Sequence, residues 1–151
     1  MENKYKISVV IPVYNSSAFI NKCMNSLYKQ DFKKPFEIII IDDASTDNTL
    51  EIIKKWNLLN INFFSLTLNS GPSTARNIGI KHAKGEYIYF LDADDAIQIN
   101  TFSKLYKAAK KENYDMVFAD AKKIEAKKDQ STNIFFLIRV KHFIKKIFYM
   151  S

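Results

Sequence analysis

Short, nearly continuous apolar runs recur along the chain, at residues 7–11, 36–41 and 87–91. Runs of this length, rich in Ile, Val and Tyr, are typical of parallel strands that are covered on both faces. A weaker strand is predicted over residues 61–68, and a short one over residues 116–119. The apolar pattern therefore predicts a sheet whose central strands are fully buried.

Between these runs, apolar residues recur at the spacing of amphipathic helices. The spacing predicts helices over residues 19–28, 50–56, 72–79 and 101–112. Asp47 or Asn48 is expected to cap the second of these helices. Strands that alternate with helices imply right-handed crossovers between parallel strands. We therefore expect an α/β fold, a mainly parallel sheet with helices on both faces.

The C-terminal part of the sequence has a different pattern. Residues 122–133 are polar and predict a loop after a first domain that spans residues 1–121. Residues 134–151 predict a basic amphipathic helix, because apolar and basic side chains fall mostly on opposite faces. Such a helix can lie on anionic lipid, which makes residues 134–150 a candidate for peripheral membrane contact. The alternative is that this helix packs against the sheet.

The composition is that of one ordered domain with anionic partners. A chain of 151 residues with 47% hydrophobic and 14% aromatic residues can bury a core of its own. The formal net charge of +7 favours nucleotides, nucleic acid or an acidic membrane as partners. However, the acidic residues cluster within residues 42–95, and no RNA-binding motif of interleaved aromatic and basic residues occurs. We therefore expect no nucleic-acid partner.

Cysteine usage and the apolar runs bear on the compartment. Cys23 is the single cysteine, which excludes an internal disulfide and favours a reducing compartment. The first residues lack the apolar stretch of a signal peptide, and no run has the length of a membrane-spanning helix. We expect a cytoplasmic protein, attached to the inner face of the membrane if residues 134–150 bind lipid.

Three polar clusters directly follow predicted strands. They comprise residues 12–15, the pair Asp42 and Asp43, and residues 92–95. Ligands of open parallel sheets bind beyond the carboxyl ends of the strands. The three clusters are therefore expected to meet in one crevice.

Asp92, Asp94 and Asp95 form the cluster with the most distinctive chemistry. Like charges held close together on a tight turn resist joint ionisation unless a cation neutralises them. Mg²⁺ or Mn²⁺ would satisfy these carboxylates and bridge to phosphate oxygens. The alternative is a solvated turn whose aspartates cap a helix.

Each of the other candidate residues has two possible roles when it is considered alone. Asp42 and Asp43 can accept a hydrogen bond from a nucleobase N–H, or they can mark the start of a helix. Arg76 offers a planar fork of donors to an anion, or it is an ordinary surface arginine.

Four segments, in this order, resemble the successive signatures of family 2 glycosyltransferases, which have the Rossmann-like GT-A fold. They are SVVIPVYN (8–15), IIDDASTDNT (40–49), NSGPSTARNIG (69–79) and GEYIYFLDADD (85–95). Each segment alone is weak evidence for the family, but four such segments in the same order are highly specific for it. A sugar nucleotidylyltransferase would share the fold type, but such enzymes carry a glycine-rich loop after the first strand, where this chain has no glycine. The resemblance implies that residues 1–121 form a nucleotide-sugar-binding domain.

The resemblance assigns the nucleobase end of the site to residues of the first two segments. Pro12 and Tyr14 would line the base pocket, with Asn15 beside them. Asp42 or Asp43 would bind the nucleobase itself.

The diphosphate end is assigned to the last two segments in the same way. Arg76 and Asn77 would close over the nucleotide, and Asp92 would face the ribose or the sugar. Asp94, the second aspartate of the family's Asp-x-Asp motif, would ligate Mg²⁺ or Mn²⁺ on the diphosphate.

The family resemblance implies transfer of a sugar from a nucleoside-diphosphate sugar, specifically a UDP-sugar, with inversion. The acceptor would be a glycan or a lipid-linked molecule of unknown identity, in cell-surface or extracellular polysaccharide synthesis. The family's catalytic base usually belongs to an acidic pair downstream, and no acids are adjacent after Asp95. We therefore expect the base to be absent and the chain to be truncated at its C-terminus. The alternative function is a non-catalytic module that binds a nucleotide sugar and lacks the acceptor half.

Overall fold

The computed structural model describes residues 4–56, 60–125 and 128–139, with side chains up to residue 117. Strands and helices alternate along these residues, and the strands form one sheet in the order β3-β2-β1-β4-β6-β5. The elements are β1 (Tyr5–Val13), α1 (Ile20–Tyr28), β2 (Phe36–Asp42), α2 (Thr49–Lys54), β3 (Ile61–Ser65), α3 (Pro72–His82), β4 (Gly85–Phe90), α4 (Thr101–Lys111), β5 (Met116–Glu125) and β6 (Lys128–Arg139).

The first four strands form a parallel core, which confirms the predicted α/β architecture. β1 lies in the middle and pairs in parallel with β2 on one side and with β4 on the other. β3 extends the sheet beyond β2, also in parallel. The carboxyl ends of β1, β2 and β4 therefore lie at the same edge.

Helices cover both faces of this sheet, as the apolar runs predicted. Alternate residues of β1 point to opposite faces, so that Val9 and Ile11 join one buried cluster and Val10 joins another. The larger cluster packs against α1, α2 and α4, and the smaller one packs against α3. A strand buried on both faces requires apolar side chains at consecutive positions, which explains its nearly continuous run.

Helix α3 lies unusually close to β1 because Gly79 has no side chain. A Cβ at Gly79 would lie 2.3 Å from Cγ1 of Val10, which is fully buried. This close approach fixes α3 over the carboxyl half of the sheet and holds Arg76, one turn earlier in the helix, near the edge where the strands end.

The C-terminal predictions are wrong for the described residues. The predicted loop over residues 122–133 and the start of the predicted helix at residue 134 lie in β5 and β6, which pair with each other in antiparallel fashion. The expected domain boundary at residue 121 falls inside β5. β6 also pairs with β4, whose outer edge would otherwise carry unpaired backbone groups. Residues 140–151 lie outside the described residues.

β6 also includes the first six residues of the helix predicted to contact the membrane. That contact required a helix over residues 134–150, and residues 134–139 belong to β6. None of the helices in the described part of the chain is both long and apolar enough to cross a membrane.

Gly79→Ala is expected to destabilise the fold, although alanine favours helices by about 1 kcal/mol over glycine. The new methyl group overlaps Val10, whose branched side chain is stiff, and overpacking of this kind costs about 1–3 kcal/mol. In the background of Val10→Ala, which removes the overlapping methyl groups, the same substitution should become stabilising. Urea denaturation of the four proteins measures this reversal, and additive effects would contradict the close contact.

Candidate functional site

A cavity of about 430 Å³ opens at the carboxyl ends of β1, β2 and β4. It combines residues from all three polar clusters that the sequence places after strands, which confirms that the clusters converge. The lining residues are Pro12, Val13, Tyr14, Asn15, Ser16, Phe19, Asp43, Asn69, Pro72, Arg76, Asp92, Ala93 and Asp94.

Asp43 anchors one wall of the cavity. Its two carboxylate oxygens accept the backbone N–H groups of Ser70 and Gly71, each at 2.7 Å, and the residue is almost completely buried. Gly71 has a φ angle of 86°, which a residue with a side chain rarely adopts. The pair of hydrogen bonds fixes the turn after β3, so that Asn69 and Pro72 face the cavity.

Asp42 lies behind this wall and not in the cavity. One of its carboxylate oxygens accepts the N–H of Ser45 at 3.2 Å, and the other accepts the hydroxyl of Ser65 at 2.9 Å. Asp42 is 1% exposed and is not among the lining residues. The sequence left the two adjacent carboxylates as alternatives, and the structure puts Asp43 at the cavity.

Asn15 lines the cavity, but its side-chain oxygen holds a neighbouring loop. It has a φ angle of 46°, and its Oδ1 accepts the N–H groups of Thr46 and Asp47 at 2.8 and 3.3 Å. Its own N–H donates to the hydroxyl of Ser45 at 3.0 Å. The contribution of Asn15 to the cavity therefore includes joining the loop after β1 to the loop after β2.

Asp47 and Thr49 complete this junction. The carboxylate of Asp47 accepts the N–H groups of Ser17 at 3.1 Å and of Thr49 at 3.0 Å, together with the hydroxyl of Thr49. That hydroxyl in turn accepts the N–H of Ser16 at 2.7 Å. Burial acts to raise the pKa of Asp47, but the hydrogen bonds from Thr49 and Ser17 outweigh it and hold this pKa well below its usual value.

Arg76 and Asp92 form an ion pair at the opposite wall. The guanidinium Nη2 lies 2.5 Å from Oδ1 of Asp92, and the side chains are 32% and 50% exposed. Both groups therefore keep enough exposure to contact a ligand. Asn77, the neighbour of Arg76, is exposed and is not among the lining residues, and its place beside the nucleotide stays a prediction.

Asp94 offers an exposed carboxylate to the cavity. Among the side chains that the structure describes, no group of three or more His, Cys, Asp or Glu residues is arranged to hold a metal ion. Mg²⁺ and Mn²⁺ are often held by one or two carboxylates while phosphate oxygens and water complete the shell. The donor set at Asp94 fits a metal of that kind and does not fit one that is held by the protein alone.

The cavity also contains residues that the sequence reasoning did not place there. The apolar spacing predicts that Phe19 belongs to the buried face of a helix, but Phe19 is 53% exposed and lines the cavity. Asn69 and Pro72 lie in one of the four signature segments, which was the signal that could have found them. Ser16 directly follows the polar cluster of residues 12–15, and this position is the signal that could have found it.

The fold and the converging signature segments define a class of protein. The chain matches the family described as "Glycosyl transferase family 2" over residues 8–149. It therefore belongs to this family, and the resemblance seen in the sequence is confirmed.

Relatives with curated names are similar to part of the chain. TarS of Staphylococcus aureus, a poly(ribitol-phosphate) beta-N-acetylglucosaminyltransferase, is 48% identical over 99 residues, which cover 64% of this chain and 17% of TarS. A poly(ribitol-phosphate) beta-glucosyltransferase of Bacillus spizizenii is 41% identical over 126 residues, which cover 81% of this chain and 20% of the relative. The chain thus spans at most 20% of the length of these two relatives.

Solved structures of family members confirm the GT-A fold. The S. aureus TarS 1–349 structure in complex with UDP-GlcNAc matches with a TM-score of 0.70 and 41% identity, covering 74% of this chain and 33% of that one. The mannosyltransferase PcManGT from Pyrobaculum calidifontis, in complex with GDP-Man and Mn²⁺, matches with a TM-score of 0.67 and 26% identity, covering 76% of this chain and 36% of that one.

Asp47→Asn is expected to remove a pH-dependent part of the stability. The folded pKa of Asp47 lies below its usual value of 3.8, so the carboxylate stabilises the fold above that pH and loses this effect as the pH falls toward the folded pKa. The difference in free energy of unfolding between wild type and variant should therefore be larger at about pH 6 than at about pH 3. Urea denaturation measures it, with Asp31→Asn at an exposed carboxylate as the matched control. An equal difference at both pH values would contradict the assignment.

Proposed function

We propose that the cavity binds a nucleoside-diphosphate sugar, specifically a UDP-sugar, together with Mg²⁺ or Mn²⁺. The chain would be the donor-binding part of a glycosyltransferase that transfers the sugar with inversion to a glycan or lipid-linked acceptor. The product would belong to a cell-surface or extracellular polysaccharide. The observation that carries the proposal is the meeting of Tyr14, Asp43, Arg76 and Asp94 in one cavity at the carboxyl edge of the sheet.

The cavity has suitable groups for a nucleoside at one end. Its volume of about 430 Å³ lies within the usual range for small-molecule sites. Pro12 and the half-exposed ring of Tyr14 offer apolar surface to a flat base. Asp43 retains further lone pairs after accepting its two backbone N–H groups, so it can also accept an N–H from the base.

The other end has suitable groups for a diphosphate. Arg76 presents its guanidinium fork beside Asp92, and Asp94 offers a carboxylate to a divalent cation. A bound Mg²⁺ or Mn²⁺ would act as a Lewis acid that stabilises the charge on the departing nucleoside diphosphate. Arg76 would add a second positive group, and Asp92 would be within reach of the ribose or the sugar. The relatives solved with UDP-GlcNAc and with GDP-Man and Mn²⁺ support this arrangement.

One observation favours the second candidate function, a module that binds a nucleotide sugar without transferring it. Transfer requires a general base within hydrogen-bond reach of the acceptor hydroxyl. Each acidic side chain that lines the cavity has another role. Asp43 accepts the N–H groups of Ser70 and Gly71. Asp92 pairs with Arg76, and Asp94 is the proposed metal ligand. No side chain in the described part of the cavity is therefore left to act as this base.

A cytoplasmic location is part of the proposal. Cys23 is the single cysteine and is a free, buried thiol, which suits a reducing compartment.

Asp94→Asn is expected to abolish the effect of metal on UDP binding. In the wild type, Mn²⁺ should raise the affinity for UDP by about tenfold or more over that in EDTA, because Asp94 would hold a cation whose charge would offset that of the diphosphate. Isothermal titration calorimetry with and without Mn²⁺ measures both affinities. Glu51→Gln removes the same charge from an exposed position in α2 and is the matched control. A metal effect of equal size in Asp94→Asn would overturn the assignment.

The two candidate functions differ in turnover by the purified chain. We expect the chain alone to bind UDP-sugars without hydrolysing them, because its described cavity offers no free base. A coupled assay measures turnover as the release of UDP from UDP-GlcNAc and from UDP-glucose. Turnover above that of Asp94→Asn would exclude the non-catalytic module.

A further inference from the structure

Helix α1 is hydrogen-bonded to the segment that carries the proposed metal ligand. This segment, residues 91–102, is called the acidic loop here. The thiol of Cys23 donates to the carbonyl oxygen of Asp92, with a sulfur–oxygen distance of 3.8 Å. One turn later, the hydroxyl of Ser26 accepts the N–H of Ile97 at 3.2 Å and donates to the carbonyl oxygen of Cys23 at 2.7 Å.

Gln30 and Asp31, which follow the end of α1 at Tyr28, make the most extensive contact. Nε2 of Gln30 donates to the carbonyl oxygen of Gln98 at 2.7 Å, and Oε1 accepts the N–H of Phe102 at 3.1 Å. The N–H of Asp31 donates to the carbonyl oxygen of Ile99 at 2.9 Å. Helix α1 and the residues that directly follow it therefore bind successive backbone groups of the acidic loop.

The first turn of the same helix supports the other side of the cavity. The carbonyl oxygen of Ser16 accepts the N–H groups of Phe19 and Ile20, each at 2.9 Å. Ser16 and Phe19 line the cavity next to Tyr14. One rigid helix thus joins the pocket proposed for the nucleobase to the loop that carries Asp94.

Apolar packing alone does not fix the acidic loop over its whole length. Ala93 and Ile97 are buried in the main core, but Asp92, Asp94 and Ile99 are exposed. The backbone groups of an exposed loop can bond to water instead. Hydrogen bonds from ordered side chains therefore hold the loop in one position relative to the sheet. Ser26 provides such a bond from α1, whose other face is buried in the core, and Gln30 provides them from just beyond the C-terminal end of this helix.

We propose that Ser26 and Gln30 are positioning residues, which hold the acidic loop so that Asp94 faces the diphosphate of a nucleotide bound at Tyr14. This inference rests on the proposed function. Neither side chain lines the cavity, and both act through the backbone of the loop.

Cys23 has a smaller part in the same arrangement. Burial raises the pKa of its thiol to about 12, with contributions from Asp95, Asp94 and Asp92. The thiol therefore stays protonated at neutral pH and remains a donor, but S–H is a weak donor.

The test measures how strongly metal enhances UDP binding in Ser26→Ala and Gln30→Ala. UDP is titrated by calorimetry in Mn²⁺ and in EDTA, and the ratio of the two affinities is compared with that of the wild type. We expect the affinity in EDTA to stay within about twofold, and the ratio to fall by about threefold or more. A general loss of structure would lower the affinities for UDP in Mn²⁺ and in EDTA together, whereas a loss of positioning lowers only the affinity in Mn²⁺.

Matched controls separate positioning from surface effects. Asn25→Ala changes an exposed amide next to Ser26 on the same helix and should leave the ratio unchanged. Ser26→Thr keeps the hydroxyl and should retain most of the metal effect. If Gln30→Ala does not fold, Gln30→Glu, which keeps an acceptor for Phe102 but loses the donor to Gln98, carries the same test.

The outcomes distinguish this inference from the proposed function. Wild-type protein that binds UDP equally well with and without Mn²⁺ would overturn the proposed function and the positioning role with it. A normal metal effect in the wild type that is unchanged in both Ser26→Ala and Gln30→Ala would overturn the positioning role alone.

Discussion

The parallel pairing of β1 with β2 and with β4 is the constraint on which the rest of the structure depends. In this register, Val13 pairs with Asp42, and Val10 pairs with Phe90, so the chain leaves all three strands at the same edge. Each strand is followed by polar residues, and the sheet brings them to one cavity although they are up to about eighty positions apart in the sequence. The side chains on the two faces of β1 pack in different clusters, so a shift by one residue would exchange their packing partners and is disfavoured.

Around the cavity, two acidic side chains hold the loops by accepting backbone N–H groups. Asp43 accepts two such groups from the turn after β3, and Asp47 accepts two from the loops before α1 and α2. Asn15 uses its side-chain oxygen in the same way. These bonds are worth more than the usual surface contact, since a hydrogen bond to a charged acceptor is stronger than one between neutral groups. The loops are thereby held in place before any ligand binds.

Two helices carry the groups of the cavity on rigid supports. Helix α3 lies close on β1 because Gly79 allows it, and this places Arg76 against Asp92. Helix α1 begins beside the loop of Tyr14, and residues in the helix and just after its end are bonded to the segment after β4. Sites that are built on helices keep their geometry better than sites supported by loops alone. The arrangement suits a ligand that must be contacted at both ends, as a nucleoside diphosphate must.

The sequence by itself determined the parallel core, the helices on both faces and the family, because long apolar runs and ordered motifs are local signals. It also predicted that Tyr14, Arg76 and Asp94 share one crevice. Only the tertiary structure decided that Asp43 and not Asp42 reaches the cavity, and that Asn77 does not, because the direction of a side chain at the end of a strand or on a helix depends on what packs around it. The same holds for residues 134–139, whose apolar pattern suits a helix or a strand. They pair with β5, and residues 137–139 also cover the backbone edge of β4, which would otherwise be open.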